Sequence, residues 1–349
     1  MKNLAKITTQ FESGNFIVHE ITENKIIGEI KPDPNNKDFQ WFYFTIENQE
    51  NLNLELIIKN INLSSYPTAW ENYQLCIKHE SQTQWQAIDT VILDNNLHIR
   101  LSLEKGETHI AYFIPYTLHQ HALLSQRISG LPQFLQKFSA YTHQNREIEI
   151  FNLGKNQKNC RNIWLIARQH PGESIVGWFM EGLTESFESQ PHPVNPLQFF
   201  IVHNMNPDGV FTGTHRTNST GIDLNRGWPT DSIETQHIQH WMQTYPPAIF
   251  FDIHGDERTI NPYFICNLDT PPDYNDLLNR LTMHENLEIR ITPSTSNDLR
   301  IGRNFVQNKF GALALTLELP CQYHKNMNAD NLIHTTKQLA KKFLATLRE

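Results

Sequence analysis

His170-Pro171-Gly172-Glu173 sets an imidazole and a carboxylate three residues apart, between an apolar run at 162–167 and a stretch with apolar residues at helical spacing from Ser174 onward. His and Glu are metal-ligand types, and Pro171 and Gly172 mark the junction as the carboxyl end of a strand, where open α/β sheets keep their sites. Alone the pair says little, because a Glu at a helix start commonly just caps backbone amides. Farther along, Phe250-Phe251-Asp252-Ile253-His254 puts a second histidine just past the end of another apolar strand. His170, Glu173 and His254, from two neighbouring strand ends, can complete a three-ligand zinc site with one position open to water. Between them lies a Gly- and Asn-rich stretch that carries Asn206-Pro207-Asp208-Gly209, Arg216 and Asp223-Leu224-Asn225-Arg226. Its two arginines make an anion receptor, since guanidinium forks match a carboxylate; the alternative is a turn with solvated surface arginines. Finally, Glu318 is a single carboxylate in a run, 313–320, that should be buried. A lone charge there needs a reason, either chemistry or an arginine partner.

The elements that must position these residues fall into two kinds. Runs at 39–46, 54–59, 73–78 and 98–103 are rich in aromatic and β-branched residues, and turn chemistry such as Pro32-Asp33-Pro34-Asn35-Asn36 separates them. They read as a small all-β sandwich. The pattern changes near Thr117. Beyond it, strands at 147–150, 162–167, 199–202, 248–253 and 313–319 alternate with helices at 174–187, 232–245, 273–284 and 330–347. That alternation predicts an α/β architecture, a mainly parallel or mixed sheet with helices on both faces. The expected division is therefore residues 1–120 for a β-sandwich domain and 121–349 for the domain that carries the chemistry.

The 349 residues leave room for a full core, and the formal charge of −8 disfavours a non-specific grip on nucleic acid. Four cysteines without a C-x-x-C pair argue against a thiolate zinc site and for reduced, mostly buried thiols. The amino terminus shows no apolar segment of signal-peptide type, and no stretch approaches the roughly 18 apolar residues of a membrane helix. A cytoplasmic protein without a membrane partner is the expectation. With 17 histidines in the chain, no single one means much without its neighbours.

Order and spacing of the four motifs resemble the M14 metallocarboxypeptidase family, and more closely its cytosolic-carboxypeptidase branch in the bacterial form. His170-Pro171-Gly172-Glu173 matches the first zinc motif, Asp223-Leu224-Asn225-Arg226 the substrate-carboxylate motif, His254 the third ligand and Glu318 the catalytic glutamate. The β-rich first part, with Trp41-Phe42-Tyr43-Phe44, looks like the small domain that precedes the peptidase domain in that branch. The resemblance implies a mixed-sheet α/β/α carboxypeptidase domain holding one Zn2+ per chain on His170, Glu173 and His254. Glu318 would be the general base, Arg216 the stabiliser of the oxyanion, and Asn225 and Arg226 the grip on the free carboxylate of a peptide or protein tail. Asp223 would fix the tautomer of His170. For the tyrosine that digestive members place over the substrate, Tyr263 and Tyr323 are the candidates. Ahead of Glu318, Arg300 and Arg303 are either surface charge or, for Arg303, a partner for an acidic terminal side chain. The rival reading is a zinc deacylase of the aspartoacylase or succinylglutamate desuccinylase type, against which the Asn-Pro-Asp-Gly segment and the amino-terminal domain weigh. A binding module that has lost catalysis is disfavoured, because every expected ligand and the base are present.

Overall fold

A computed structural model describes residues 5–155, 160–190, 197–267, 269, 274–283, 288–292, 298–321 and 329–348. Among the first 113 residues, ten strands form two five-stranded sheets. One sheet has the order β1-β4-β10-β6-β7, from Lys6–Thr8, Tyr43–Asn48, Gly106–Ala111, Gln74–His79 and Gln86–Asp89; the other has β2-β3-β5-β9-β8, from Ile17–Ile21, Lys25–Glu29, Leu52–Ile58, Asn96–Leu103 and Val91–Leu93. Alternating burial along β9, with Leu97, Ile99, Leu101 and Leu103 inside, is the period-2 signature of a strand with one face on a core. The run expected at 39–46 enters the ladder only at Tyr43. Gln40 explains the delay: it is fully buried and spends its amide on the backbone of Tyr66.

Thr117 then caps α1 (Leu118–Ser129) in a reciprocal arrangement with Gln120, which satisfies two of the amides a helix start leaves open. The remainder builds an eight-stranded mixed sheet in the order β11-β12-β14-β13-β15-β18-β16-β17. Its strands are Phe134–Tyr141, Glu147–Gly154, Leu197–Val202, Arg161–Ala167, Ile249–Asp256, Leu313–Pro320, Tyr263–Asn267 and Glu288–Thr292. At its centre β14, β13, β15 and β18 run parallel. The helices are α2 (Ile175–Ser189), α3 (Pro207–Thr212), α4 (Ile233–Thr244), α5 (Asn275–Met283), α6 (Gly302–Phe310) and α7 (Ala329–Arg348). Beyond α1, five described elements were not expected from the sequence: β11, β16, β17, α6 and the short α3, where the Pro207-Asp208-Gly209 turn proves to be a helix start capped by Asn206.

Residue parity decides which face receives which helix. Ile163, Leu165, Ile249, Phe251, Ile253 and the odd residues of β18 face the core shared with α2 and α7, including Phe179 and Phe343. Trp164, Ile166, Phe250 and Ala314 face the second core, against Ile238 and Met242 of α4 and Phe305 and Val306 of α6. On this second face the apolar seam stops after Phe250 and Ala314. Asp252, His254, Thr316 and Glu318 take over at the carboxyl ends, so the polar residues of β15 and β18 point away from the larger core and toward the side of α6.

Candidate active site

β13 ends at Ala167, and the chain turns through Arg168 with φ 64°, a left-handed conformation that non-glycine residues rarely hold without support. Support comes from its own buried guanidinium, whose Nε donates to the Pro171 carbonyl at 2.8 Å. The turn thereby closes on itself and presents His170. Gly172 is required by proximity: a Cβ there would lie 2.5 Å from His215 Nδ1, while its amide donates to the His215 carbonyl at 2.8 Å. The segment that carries Arg216 is thus pressed onto the His-Pro-Gly-Glu turn.

His170 Nδ1, the Glu173 carboxylate and His254 Nδ1 converge, all within 4.8 Å of one another and buried. His254 Nδ1 lies 3.2 Å from His170 Nδ1 and 3.0 Å from Glu173 Oε2. On the far side of each ring, His170 Nε2 is 3.1 Å from Asp223 Oδ1 and His254 Nε2 is 2.9 Å from Asp252 Oδ1. With each Nε2–H given to its aspartate, each Nδ1 would be left to present a lone pair toward a cation held beside Glu173. Two lone pairs facing each other across 3.2 Å beside a carboxylate repel unless a cation or proton lies between them. The donor set therefore fits a divalent metal, and two imidazoles with one carboxylate suit zinc. The charges agree. Burial opposes protonation of the two rings, but Glu173 with Asp223 raises His170, and Asp252 with Glu173 raises His254 well above the usual histidine range. Against its own burial, Glu173 is held far below the carboxylate range by the two imidazoles.

Glu318 is in register beside His254 on the adjacent strand and lines the same cavity, which also includes Tyr66, Arg216, Asn225, Arg226 and Arg303. Burial pushes its carboxyl up to about 7. Arg216 Nε donates to Asp223 Oδ2 at 2.7 Å, and Nη1 to the Tyr66 hydroxyl at 2.8 Å. Asn225 faces His254 Nε2 at 3.2 Å and accepts the Gly302 amide at 2.9 Å, while the exposed Arg226 donates to the Asn225 carbonyl. Arg303, on α6, is buried and gives Nη1 to Thr316 at 3.2 Å; Arg300 is exposed, forked onto Asp298, and does not line the cavity.

Every expected site residue thus meets at one place. Tyr263 is the exception among the tyrosines: it is buried and donates its hydroxyl to Asp256 Oδ2 at 2.7 Å, so it is not poised over a substrate. Tyr323 lies outside the described residues. Four participants were missed. Gln169 donates to both oxygens of Asp252, at 2.7 and 2.8 Å, and accepts from Trp228 Nε1 at 3.1 Å, which leaves Asp252 fixed for His254. Asp252 could have been found from its place two residues before His254, hence on the same strand face. Asp33 and Tyr66 carried no such signal. Asp33 is buried far from the motifs in sequence, yet it accepts the backbone amides of His215, Arg216 and Thr217 at 2.7, 2.8 and 2.8 Å.

A buried pair of imidazoles and a carboxylate at parallel strand ends, with a carboxylate and arginines around one cleft, is the arrangement of a metallohydrolase. Residues 7–113 match the family model of the cytosolic carboxypeptidase N-terminal domain and residues 121–342 that of zinc carboxypeptidases. The chain belongs to the zinc carboxypeptidase family, M14, and is a peptide hydrolase. It is 32% identical to an uncharacterized protein of Zymomonas mobilis over 99% of this chain and 96% of that one, and 26% identical to cytosolic carboxypeptidase 6 of Caenorhabditis elegans over 96% and 83%. A metallo-carboxypeptidase from Pseudomonas aeruginosa, solved in complex with (2-guanidinoethylmercapto)succinic acid, superposes with a TM-score of 0.90 at 30% identity, covering 98% of each chain. One from Burkholderia cenocepacia superposes with 0.88 at 25% identity, over 99% of each. Among the described residues no helix is long and apolar enough to cross a membrane.

Proposed function

We propose that this carboxypeptidase removes the last residue of peptides or protein tails, with His170, Glu173 and His254 holding one zinc and Glu318 acting as general base. Zinc there would supply Lewis acidity, lowering the pKa of a water and polarising the scissile carbonyl. The observation that carries the reading is the convergence of both Nδ1 atoms, 3.2 Å apart, on the Glu173 carboxylate, each ring backed by an aspartate at Nε2. Glu318 takes a proton from the attacking water and returns it to the leaving amine as the carbon–nitrogen bond breaks. Arg216, held by Asp223 and Tyr66, faces the charge that develops on the carbonyl oxygen. Asn225 and Arg226 grip the free terminal carboxylate, which restricts cleavage to the chain end. Division into domains at 120/121 belongs to the same reading and is supported by the capped start of α1 just after Thr117. A cytoplasmic location and the absence of nucleic-acid partners are proposed with it.

For the terminal side chain, the proposal is a preference for Glu or Asp set by Arg303. Its support is a buried guanidinium that lines the cavity next to Thr316, within the same cleft as Glu318. Peptides ending in Glu, Lys, Arg and Phe test this; the basic ones matter because the compound bound by the Pseudomonas neighbour carries a guanidino group as well as a succinic acid. A clear preference for Lys, Arg or Phe would eliminate the Arg303 assignment. Glu318→Gln should abolish turnover while zinc content survives, and unchanged activity would remove Glu318 from the mechanism. An N-acyl amino acid, hydrolysed in preference to a dipeptide or longer peptide, would favour the deacylase instead.

A further inference from the structure

The amino-terminal sheets reach into the cavity at one point. Tyr66, at the start of the short helical turn Pro67–Trp70, lines it together with His170, Glu173, Arg216 and His254. Its phenol oxygen accepts from Arg216 Nη1 at 2.8 Å, which uses a lone pair and leaves the hydroxyl's own hydrogen. Among the described residues that hydrogen has no acceptor. A phenol O–H facing the cleft beside the arginine assigned to the oxyanion is a second donor aimed at the same region.

Placement of this donor is heavily determined. The backbone of Tyr66 is clasped on both sides by the buried Gln40, whose Oε1 accepts the Tyr66 amide at 3.1 Å and whose Nε2 donates to the Tyr66 carbonyl at 3.4 Å. The ring stands edge-on to His215, centroids 5.9 Å apart, and the Arg258 guanidinium carbon lies 5.2 Å from its centroid. From the turn that follows β3, Asp33 anchors three consecutive amides of the loop that carries Arg216. Burial, then the Glu257 charge, raises the phenol above its ordinary range, so it remains a protonated donor at neutral pH.

We propose that Tyr66 is a catalytic residue: its phenol O–H donates, alongside Arg216, to the carbonyl oxygen that becomes charged when water adds to the scissile peptide bond. The amino-terminal sheets then complete the active site. Such a donor acts on the transition state more than on the bound substrate. The inference rests on the oxyanion role given to Arg216 above.

The test is Tyr66→Phe, which keeps the ring and its packing and removes only the hydroxyl. Loss of one oxyanion donor predicts a fall in kcat of about 10²-fold with KM within about twofold, at unchanged zinc content and melting temperature. Affinity for a phosphonate peptide analogue, whose tetrahedral oxygens mimic the addition product, should drop by a similar factor, while inhibition by the free product amino acid stays the same. Arg216→Gln and the double variant separate the alternatives. A direct donor predicts that Y66F lowers kcat further in the R216Q background; no further loss means that Tyr66 only positions Arg216 and overturns the proposal. Wild-type kcat in Y66F overturns it as well. Wild-type kcat in R216Q would instead remove the oxyanion role of Arg216, a failure distinct from that of Tyr66.

Discussion

Replacing Asp33 by Ala would remove the acceptor for three consecutive buried amides, those of His215, Arg216 and Thr217. A buried donor left without a partner costs about 1–3 kcal/mol. Water entering the space of the lost carboxylate recovers part of that, so the lower value for each amide sets the expected destabilisation at about 3 kcal/mol. That is a large fraction of an ordinary stability of about 5–15 kcal/mol, and for a chain of this length it corresponds to roughly 4 °C in melting temperature. Asp33→Asn keeps one acceptor oxygen and should fall between wild type and Ala at about pH 4, where Asp33 is protonated. Both variants should lower kcat through the Arg216 loop while zinc content holds. A pH signature accompanies this: burial outweighs the three amides and pushes Asp33 from 3.8 up to about 6. An acid raised in the folded state binds its proton more tightly there, so its contribution is largest at low pH and is lost as pH rises through about 6. A rise of that size corresponds to about 3 kcal/mol. Denaturant unfolding followed by tryptophan fluorescence, taken as wild type minus D33N, should therefore move toward wild type by about that amount between about pH 7 and about pH 4. Melting of D33A at about pH 4, where Asp33 is protonated, within about 1 °C of wild type, well below the expected difference of roughly 4 °C, would refute the reasoning.

His254→Ala should lose metal, measured as zinc per chain after dialysis; a full equivalent remaining would contradict the ligand set. Gln169→Leu frees Asp252 from its two amide bonds and should weaken zinc retention by about 10–100-fold in a chelator competition, whereas unaltered retention would show that Asp252 needs no such support. Because Glu318 must be ionised to act, and burial pushes it from 4.5 up to about 7, kcat/KM should fall on the acid side. A bound cation favours the carboxylate, which places that limb between 4.5 and 7. A rate that rises as pH drops through this window would exclude Glu318 as the base.

Much of the site was legible in the sequence because its residues sit at the ends of strongly patterned elements. His170, Glu173, His254 and Glu318 each follow or close an apolar strand, and parallel strands side by side bring their carboxyl ends together. Local chemistry alone announced the turn at Pro171-Gly172 and the change of pattern near Thr117. Elements with mixed patterns were invisible: β16 is half-buried in part, and α6 opens without a side-chain cap and carries Arg303 on a buried face.

What the sequence by itself determined is the class of chemistry and the alternating architecture, since ligand types, their order and hydrophobic periodicity are local properties of the chain. Only the tertiary structure decided that Asp33 and Tyr66, remote from every motif, belong to the site, and that Tyr263 does not. Asp33 has a turn-like neighbourhood and Tyr66 an ordinary one. Their roles arise from three amides and a guanidinium that reach them across more than a hundred residues of chain, and long-range contacts of that kind leave no periodicity to read.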